Sequence, residues 1–231
     1  MANPSTSIRY QTVLFDLDGT LIDHFQIIYR CYQYAMEKLG LESVDFDTVL
    51  HAVGGSIPIT FGKLVPQECV EPGVAHFREH FDRIWHEEIN ILPGTEWLLK
   101  NLRAQGVQMA VFTNKDGGFA RKIIDHVGLS DHFELVIGAR DTDWRKPQPE
   151  FTQHVLQQLG ADSAESCMVG DSPYDAQAAE VVNMDRYLVA TGSHSLDQLK
   201  TVNAQGAFTS LYGLGATVFN LRVPAEAHAA E

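Results

Sequence analysis

Short runs of consecutive apolar residues alternate along most of this chain with longer stretches whose apolar residues recur at helical spacing. Val13-Leu14-Phe15 opens the series, and Val107–Thr113, Leu135–Gly138, Cys167–Gly170, Arg186–Ala190 and Gly206–Thr209 continue it. Between these runs, Thr95–Ala104, Phe119–Val127, Phe151–Leu159 and Pro173–Val182 read as helices. Alternation of this kind predicts an α/β fold with a doubly wound parallel sheet. The exception is the stretch 23–91, where nothing reads as a strand. There, Phe25–Leu39 places Ile28, Cys31, Tyr32, Ala35 and Leu39 on one face, with Gly40 as a stop. Helical patterns recur near Phe46–Val53 and from Gly73 to Glu88, and Leu92-Pro93-Gly94 then breaks them. The expected organisation is an α/β core from residues 1–22 and 92–231, interrupted by an inserted all-helical module at 23–91. The hinges are expected near Ile22–Asp23 and Ile91–Gly94. Met1–Ser7 and Pro224–Glu231 read as loose ends.

Composition narrows the partners more than the fold. A chain of 231 residues with 45% hydrophobic positions accommodates a core plus an inserted module. Its formal net charge of −13 lacks the basic footprint that nucleic acid requires, and gives an anionic membrane surface no attraction. Cys31, Cys69 and Cys167 are odd in number and scattered, so they form neither a disulfide framework nor a zinc pattern. With no signal-peptide pattern and no membrane-length apolar run, the expectation is a cytoplasmic protein.

In a doubly wound sheet, ligands gather beyond the carboxyl ends of the strands, so the residues there carry the functional information. The first strand runs into Asp16-Leu17-Asp18-Gly19-Thr20. Carboxylates at i and i+2 leave an extended strand on one side, and two such charges need a cation or a shared proton. An Asp-Gly turn after a strand would look the same. The second strand ends in Thr113-Asn114, which a simple turn also explains. Lys146 stands in the loop after the third, where most lysines are merely solvated. The fourth ends in Gly170-Asp171-Ser172-Pro173-Tyr174-Asp175. Asp175 has two open readings, a capping box with Ser172 or support of a metal site. Four consecutive strands ending in carboxylates, hydroxyls and a lysine is the inventory for holding a cation and a phosphoryl group together.

The ordered set of motifs resembles the haloacid-dehalogenase-like superfamily, in particular its aspartate-nucleophile phosphatases with a helical cap. Phe15-Asp16-Leu17-Asp18-Gly19-Thr20-Leu21 is similar to the first family motif, Phe112-Thr113-Asn114 to the second, Lys146-Pro147 to the third, and Gly170-Asp171 with Asp175 to the fourth. Leu92-Pro93-Gly94 and Thr113-Asn114-Lys115 resemble the phosphoglycolate-phosphatase-like subgroup. The resemblance implies an Mg²⁺-dependent phosphatase acting on a small phosphorylated metabolite, as a monomer or homodimer. It makes Asp16 the nucleophile, Asp18 the acid and then base, and Lys146 the neutralising cation. Thr113 and the Asn114 backbone would bind the phosphoryl group. Asp16, the Asp18 carbonyl and Asp171, with Asp175 in support, would hold the metal.

The same resemblance frames the rivals. A dehalogenase has no need of an acid at Asp18, because halide leaves without a proton. A β-phosphoglucomutase-like enzyme would carry a histidine where this chain has Ile28. Phosphonate-cleaving relatives replace the second aspartate, and a non-catalytic domain would have no use for every one of these charged groups. Specificity is expected from the cap, through the Val53–Pro58 loop with Gly55 and Ser56, and through His24, although a surface or capping histidine is the plainer reading. The cap holds five Lys or Arg (Arg30, Lys38, Lys63, Arg78, Arg83) against eleven Asp or Glu, and Lys63 is the candidate for a substrate carboxylate. Where relatives carry Ala-Gly after the helix at Asp175, this chain has Val182-Asn183-Met184; Asn183 is expected to adopt the left-handed conformation in its place.

Overall fold

The computed structural model describes residues 9–225 and 227; Met1–Ser7 and most of the expected C-terminal tail lie outside them. Strand β1 (Thr12–Phe15) leads through β2 (Ile22–Asp23) into four helices, α1 (Phe25–Leu39), α2 (Phe46–Ala52), α3 (Ile57–Leu64) and α4 (Gln67–Ile84). Then β3 (Asn90–Ile91) and α5 (Thr95–Ala104) return the chain to β4 (Gln108–Asp116) and α6 (Gly117–His126). The rest alternates as β5 (Leu135–Ala139), α7 (Pro149–Leu159), β6 (Ser166–Gly170), α8 (Pro173–Glu180), β7 (Asp185–Val189), α9 (Leu196–Leu199), β8 (Gly206–Phe208) and α10 (Leu211–Phe219).

The main sheet is six-stranded in the order β5-β4-β1-β6-β7-β8, and every pairing in it is parallel. Its register explains the apolar runs. Val13, Met109 and Cys167 lie side by side, as do Leu14, Ala110 and Met168, and then Phe15, Val111 and Val169. The first and third rows face one core, with Leu98, Leu102, Ile123 and Leu214, while the middle row faces a second, with Phe151, Val155 and Ala179. Strands covered on both faces must be apolar at every position, which is why no polar alternation shows in the sequence. The chain leaves β1 in one direction to β4 and in the other to β6, so the carboxyl end of β1 is the topological switch point.

Where β1 ends, the extended chain stops sooner than the sequence suggests. Asp16 N–H still donates to Val169 O at 2.9 Å, but Leu17 O then accepts from Thr20, Leu21 and Ile22. Asp18 therefore sits in a tight turn, not on the same side of a continuing strand. Gly19 makes that turn possible, with φ +81°. A Cβ there would come within 2.6 Å of Asp171 Oδ2 and 2.8 Å of Gly192 Cα, so the backbone of the turn lies directly against the site.

The hinges are a short antiparallel ladder, β2 on β3, which pairs Ile22 with Ile91 and Asp23 with Asn90. Two residues per strand carry no readable alternation, so the sequence shows no strand there. Leu21 O accepts from Leu92 N–H at 3.0 Å and from Thr95 Oγ1 at 2.9 Å, which ties both chain crossings to the start of α5.

Three helices differ from expectation. Helix α4 begins six residues before Gly73 and runs through Pro72, forgoing the one bond that residue cannot donate. Helix α3 is too short and too apolar to show a period, although Ser56 before it and Pro58 in its first turn are start signals. Helix α10 has two glycines and β-branched residues; packing holds it, with Gly215 lying flat against the Trp97 ring. Asn183 takes φ +55°, as expected for the substitute of a glycine.

Candidate active site

Asp16 stands at the end of β1 between β4 and β6, and its neighbours on both sides supply the site. Lys146 arrives from the loop before α7 and is buried to 1% exposure. Its Nζ lies 3.0 Å from Asp16 Oδ1 and 2.6 Å from Asp175 Oδ1, and donates to Phe112 O at 2.8 Å. Burial alone would lower the Lys146 pKa, but the charges of Asp16 and Asp175 outweigh it and raise the value. Lys146 is thus a charged group by construction, and not a solvated surface lysine.

Asn114 fixes the loop that delivers this lysine. Its Oδ1 accepts from Lys146 N–H at 2.9 Å, and its Nδ2 donates to Lys146 O and to Gly54 O, each at 3.1 Å. The side chain therefore clamps the lysine backbone and the cap loop to the end of β4. Thr113 is buried beside it; its Oγ1 accepts from Lys115 N–H at 3.2 Å, leaving the hydroxyl proton free for another acceptor.

Asp175 makes the capping box that the sequence left open, and its second oxygen meets Lys146 beside the other site acids. Oδ2 accepts from Ser172 N–H at 3.0 Å and from Ser172 Oγ at 2.6 Å, completing the capping box at the start of α8. Oδ1 meets Lys146. Gly170 permits this approach, since a Cβ there would fall 2.2 Å from Asp175 Cγ. With both oxygens engaged, Asp175 positions Lys146 and crowds the other acids.

Ligand oxygens of Asp16, Asp171 and Asp175 all lie within 4.8 Å of one another. Asp171 Oδ2 accepts from Ser193 N–H at 2.8 Å and Oγ at 3.1 Å. Burial, then the charges of Asp175 and Asp16, push the Asp171 carboxyl well above the usual range, against the Ser193 hydrogen bonds. Asp16 Oδ1 is buried and receives no hydrogen bond, although Lys146 is close in charge. Such crowded hard-oxygen donors fit a small divalent cation, which relieves their repulsion. Asp16 and Asp171 have the freest oxygens for it. The Asp18 carboxylate is outside this cluster.

Asp18 faces Lys115, whose Nζ lies 2.9 Å from Oδ2 and 3.1 Å from Oδ1. That lysine was recognisable only as the residue following Thr113-Asn114; its partner depends on β4 continuing to Asp116 at the mouth of the site.

The cleft above Asp16 and Asp18 is walled by Phe25, Ile28, Tyr32, Phe77, Phe81 and Phe119, with Val53, Gly54 and Gly55 of the cap loop at its edge. Gly55 therefore reaches the cleft. Ser56 turns into an adjoining groove lined by Arg140, Asp141 and Trp144, its Oγ buried without a partner.

Two cap residues require correction. His24 is not a surface residue: it occupies the N-cap position of α1 without a side-chain cap bond, and its ring is fully buried, edge-on to Phe81 at 5.7 Å, with Nδ1 4.0 Å from Asp18 Oδ1. The Phe25 N–H at the start of α1 is met by Asp23 Oδ1 at 3.1 Å and not by the imidazole. Burial and then the charge of Lys115 lower its pKa to about 2, against weak backbone interactions with Trp85 and Glu87, so the ring is neutral. Lys63 does not reach the cleft either; it donates to Ala52 O at 2.9 Å, at the end of α2, and lies over the Tyr174 ring. Arg78 on α4 is the cap cation that lines the cleft.

A family model of haloacid dehalogenase-like hydrolases matches residues 13–189. The chain belongs to this family. It is 30% identical over 199 residues to a Dickeya dadantii protein named probable phosphatase IndB, covering 84% of this chain and 86% of that one. It is 29% identical over 225 residues to a plasmid-encoded phosphoglycolate phosphatase of Cupriavidus necator, covering 95% and 97%. A crystal structure of a predicted phosphatase from Clostridium acetobutylicum superposes with a TM-score of 0.85 at 26% identity, over 92% of this chain and 99% of that one. The family member described here is thus a hydrolase of the phosphatase type. No helix among the described residues is long and apolar enough to cross a membrane.

Proposed function

We propose that this protein hydrolyses a small phosphate monoester in the presence of Mg²⁺, through an aspartyl-phosphate formed on Asp16. The observation that carries the reading is the position of Lys146, buried and held between Asp16 and Asp175 beside Asp171. A lysine placed there offsets charge that a bare turn would not collect.

In this reading Asp16 attacks phosphorus and the ester P–O bond breaks. Asp18 gives its proton to the departing alkoxide, with Lys115 keeping the carboxyl group in place. Thr113 donates its free hydroxyl proton to a phosphoryl oxygen, joined by the Asn114 backbone N–H, and Lys146 stabilises the equatorial charge. Asp18, now a carboxylate, takes a proton from water as the water oxygen attacks phosphorus. The P–O bond to Asp16 then breaks and phosphate leaves. A bound Mg²⁺, held by Asp16 and Asp171 with the Asp18 carbonyl, supplies further neutralisation of the phosphoryl oxygens.

The walls of the cleft favour hydrolysis over its rivals. Ile28, standing where a mutase would carry a histidine, is part of the apolar wall, and Asp18 with its lysine has no task in halide release. We assign the substrate to the small phosphorylated metabolites, with phosphoglycolate-like or sugar phosphates as the first candidates. We place the protein in the cytoplasm, as a monomer or homodimer that binds neither nucleic acid nor membrane.

The test is a panel of phosphoglycolate, sugar phosphates, nucleotides and pyrophosphate, assayed with Mg²⁺ and after chelation. Turnover of at least one monoester that vanishes with EDTA and returns with Mg²⁺ is the expected result. Turnover indifferent to chelation contradicts the metal assignment, and halide release from a haloacid without ester hydrolysis contradicts the reaction.

A further inference from the structure

We infer that Arg78 selects substrates whose alcohol half carries a second anionic group, a carboxylate or a second phosphate; this rests on the phosphatase reading above. Helix α4 carries Arg78 between Phe77 and Phe81 into the wall of the cleft over Asp16 and Asp18, and also into the adjoining groove with Asp116 and Arg140. Among the described residues it makes no hydrogen bond and no ion pair, and its Nε is buried without a partner. Its protein neighbours cannot supply one. Asp116, the carboxylate near it, has Oδ2 on Arg140 at 2.9 Å and Oδ1 on the Gly118 and Phe119 amides.

The other cations of the site are already committed. Lys146 is held by Asp16 and Asp175, and Lys115 by Asp18. Lys63 is on the Ala52 carbonyl. The aromatic walls offer a guanidinium no acceptor in their plane. A half-buried arginine lacking an anion forfeits hydration without recovering it, and a planar fork of donors matches a carboxylate or phosphate better than a hydroxyl. The acids below it would otherwise repel a substrate with an additional negative charge, so Arg78 is where discrimination for such a substrate arises. The apolar walls in between suit a body of methylene or ring carbons joining the two anionic ends.

The experiment compares ω-carboxyalkyl phosphates, alkanediol bisphosphates and plain n-alkyl phosphates of matched, increasing length, with wild type, Arg78→Gln and Arg78→Lys, all with Mg²⁺. Wild type is expected to prefer one anionic series over the alkyl esters at the chain length that spans Asp16 to Arg78. The series that wins distinguishes carboxylate from phosphate. In Arg78→Gln that preference in kcat/KM should fall about tenfold or more, mainly through KM, with partial recovery in Arg78→Lys. A preference unchanged by Arg78→Gln, or a wild type that favours the alkyl esters at every length, overturns the inference while leaving the phosphatase reading intact. Hydrolysis of none of the three series by a wild type that turns over another phosphate monoester overturns the inference alone; only hydrolysis of no monoester at all contradicts both.

Discussion

Asp16→Asn is expected to reduce phosphate-ester turnover by roughly 10⁴-fold or more while leaving the fold in place. An amide oxygen keeps the size and the hydrogen-bonding shape of the carboxylate but cannot form the covalent intermediate. The substitution also removes one of the charges that push the Asp171 carboxyl upward, and Lys146 retains Asp175 as its partner. Thermal unfolding should therefore show a midpoint within a few degrees of wild type, a modest change for a chain of this length. Loss of activity together with loss of the fold would point to a structural role for Asp16; retained activity would remove it from the chemistry.

Lys146→Met is expected to cost both activity and stability. At an effective dielectric of about 20, unit charges about 4 Å apart interact by roughly 4 kcal/mol, which corresponds to about 10³-fold in rate if it acts only on the transition state. The stability effect has a separate source. Asp16 and Asp175 would remain beside each other, with Asp175 fully buried and no cation between them. Removing one partner from a buried charge network costs about 3–5 kcal/mol, or a midpoint lower by on the order of 10 °C. Steady-state kinetics and calorimetry on the same sample check the two parts. A variant as stable as wild type would mean that water, and not Lys146, solvates these acids.

Much of this architecture is legible in the residues themselves. Strands covered on both faces announce themselves as continuous apolar runs, and the parallel order puts their carboxyl ends together, so Asp16, Thr113, Lys146 and Asp171 could be grouped without coordinates. The capping role of Asp175 is legible from Ser172-Pro173-Tyr174-Asp175, whereas the pairing of its other oxygen with Lys146 depends on tertiary geometry. The rest depends on tertiary geometry. A count of cap cations cannot say which one faces the cleft; Lys63 satisfies a helix end while Arg78, on the wall-forming face of α4, reaches the site. His24 follows the hinge and opens α1, but Asp23 Oδ1 takes the free helix N–H, and the imidazole lies in the interior within 4.0 Å of Asp18. The Lys115–Asp18 pair is not legible in the sequence, because the two residues are far apart along the chain and meet only once β1 and β4 lie side by side.

Each aspartate of the first motif has its own lysine, Lys146 beside Asp16 and Lys115 beside Asp18. In the proposed mechanism the first pair would serve the attack and the second the proton exchange. This division gives the account its most direct test. With 4-nitrophenyl phosphate the leaving group departs without a proton, so Asp18→Asn should impair only the second step, the activation of water. Rapid mixing of that variant with the ester and Mg²⁺, followed by acid quench and peptide mass analysis, reads the intermediate directly. The account predicts a burst of nitrophenolate close to one equivalent per enzyme, with one phosphoryl group on the side chain of Asp16. Steady release of nitrophenolate with no burst, or a phosphoryl group on any other residue, would contradict it.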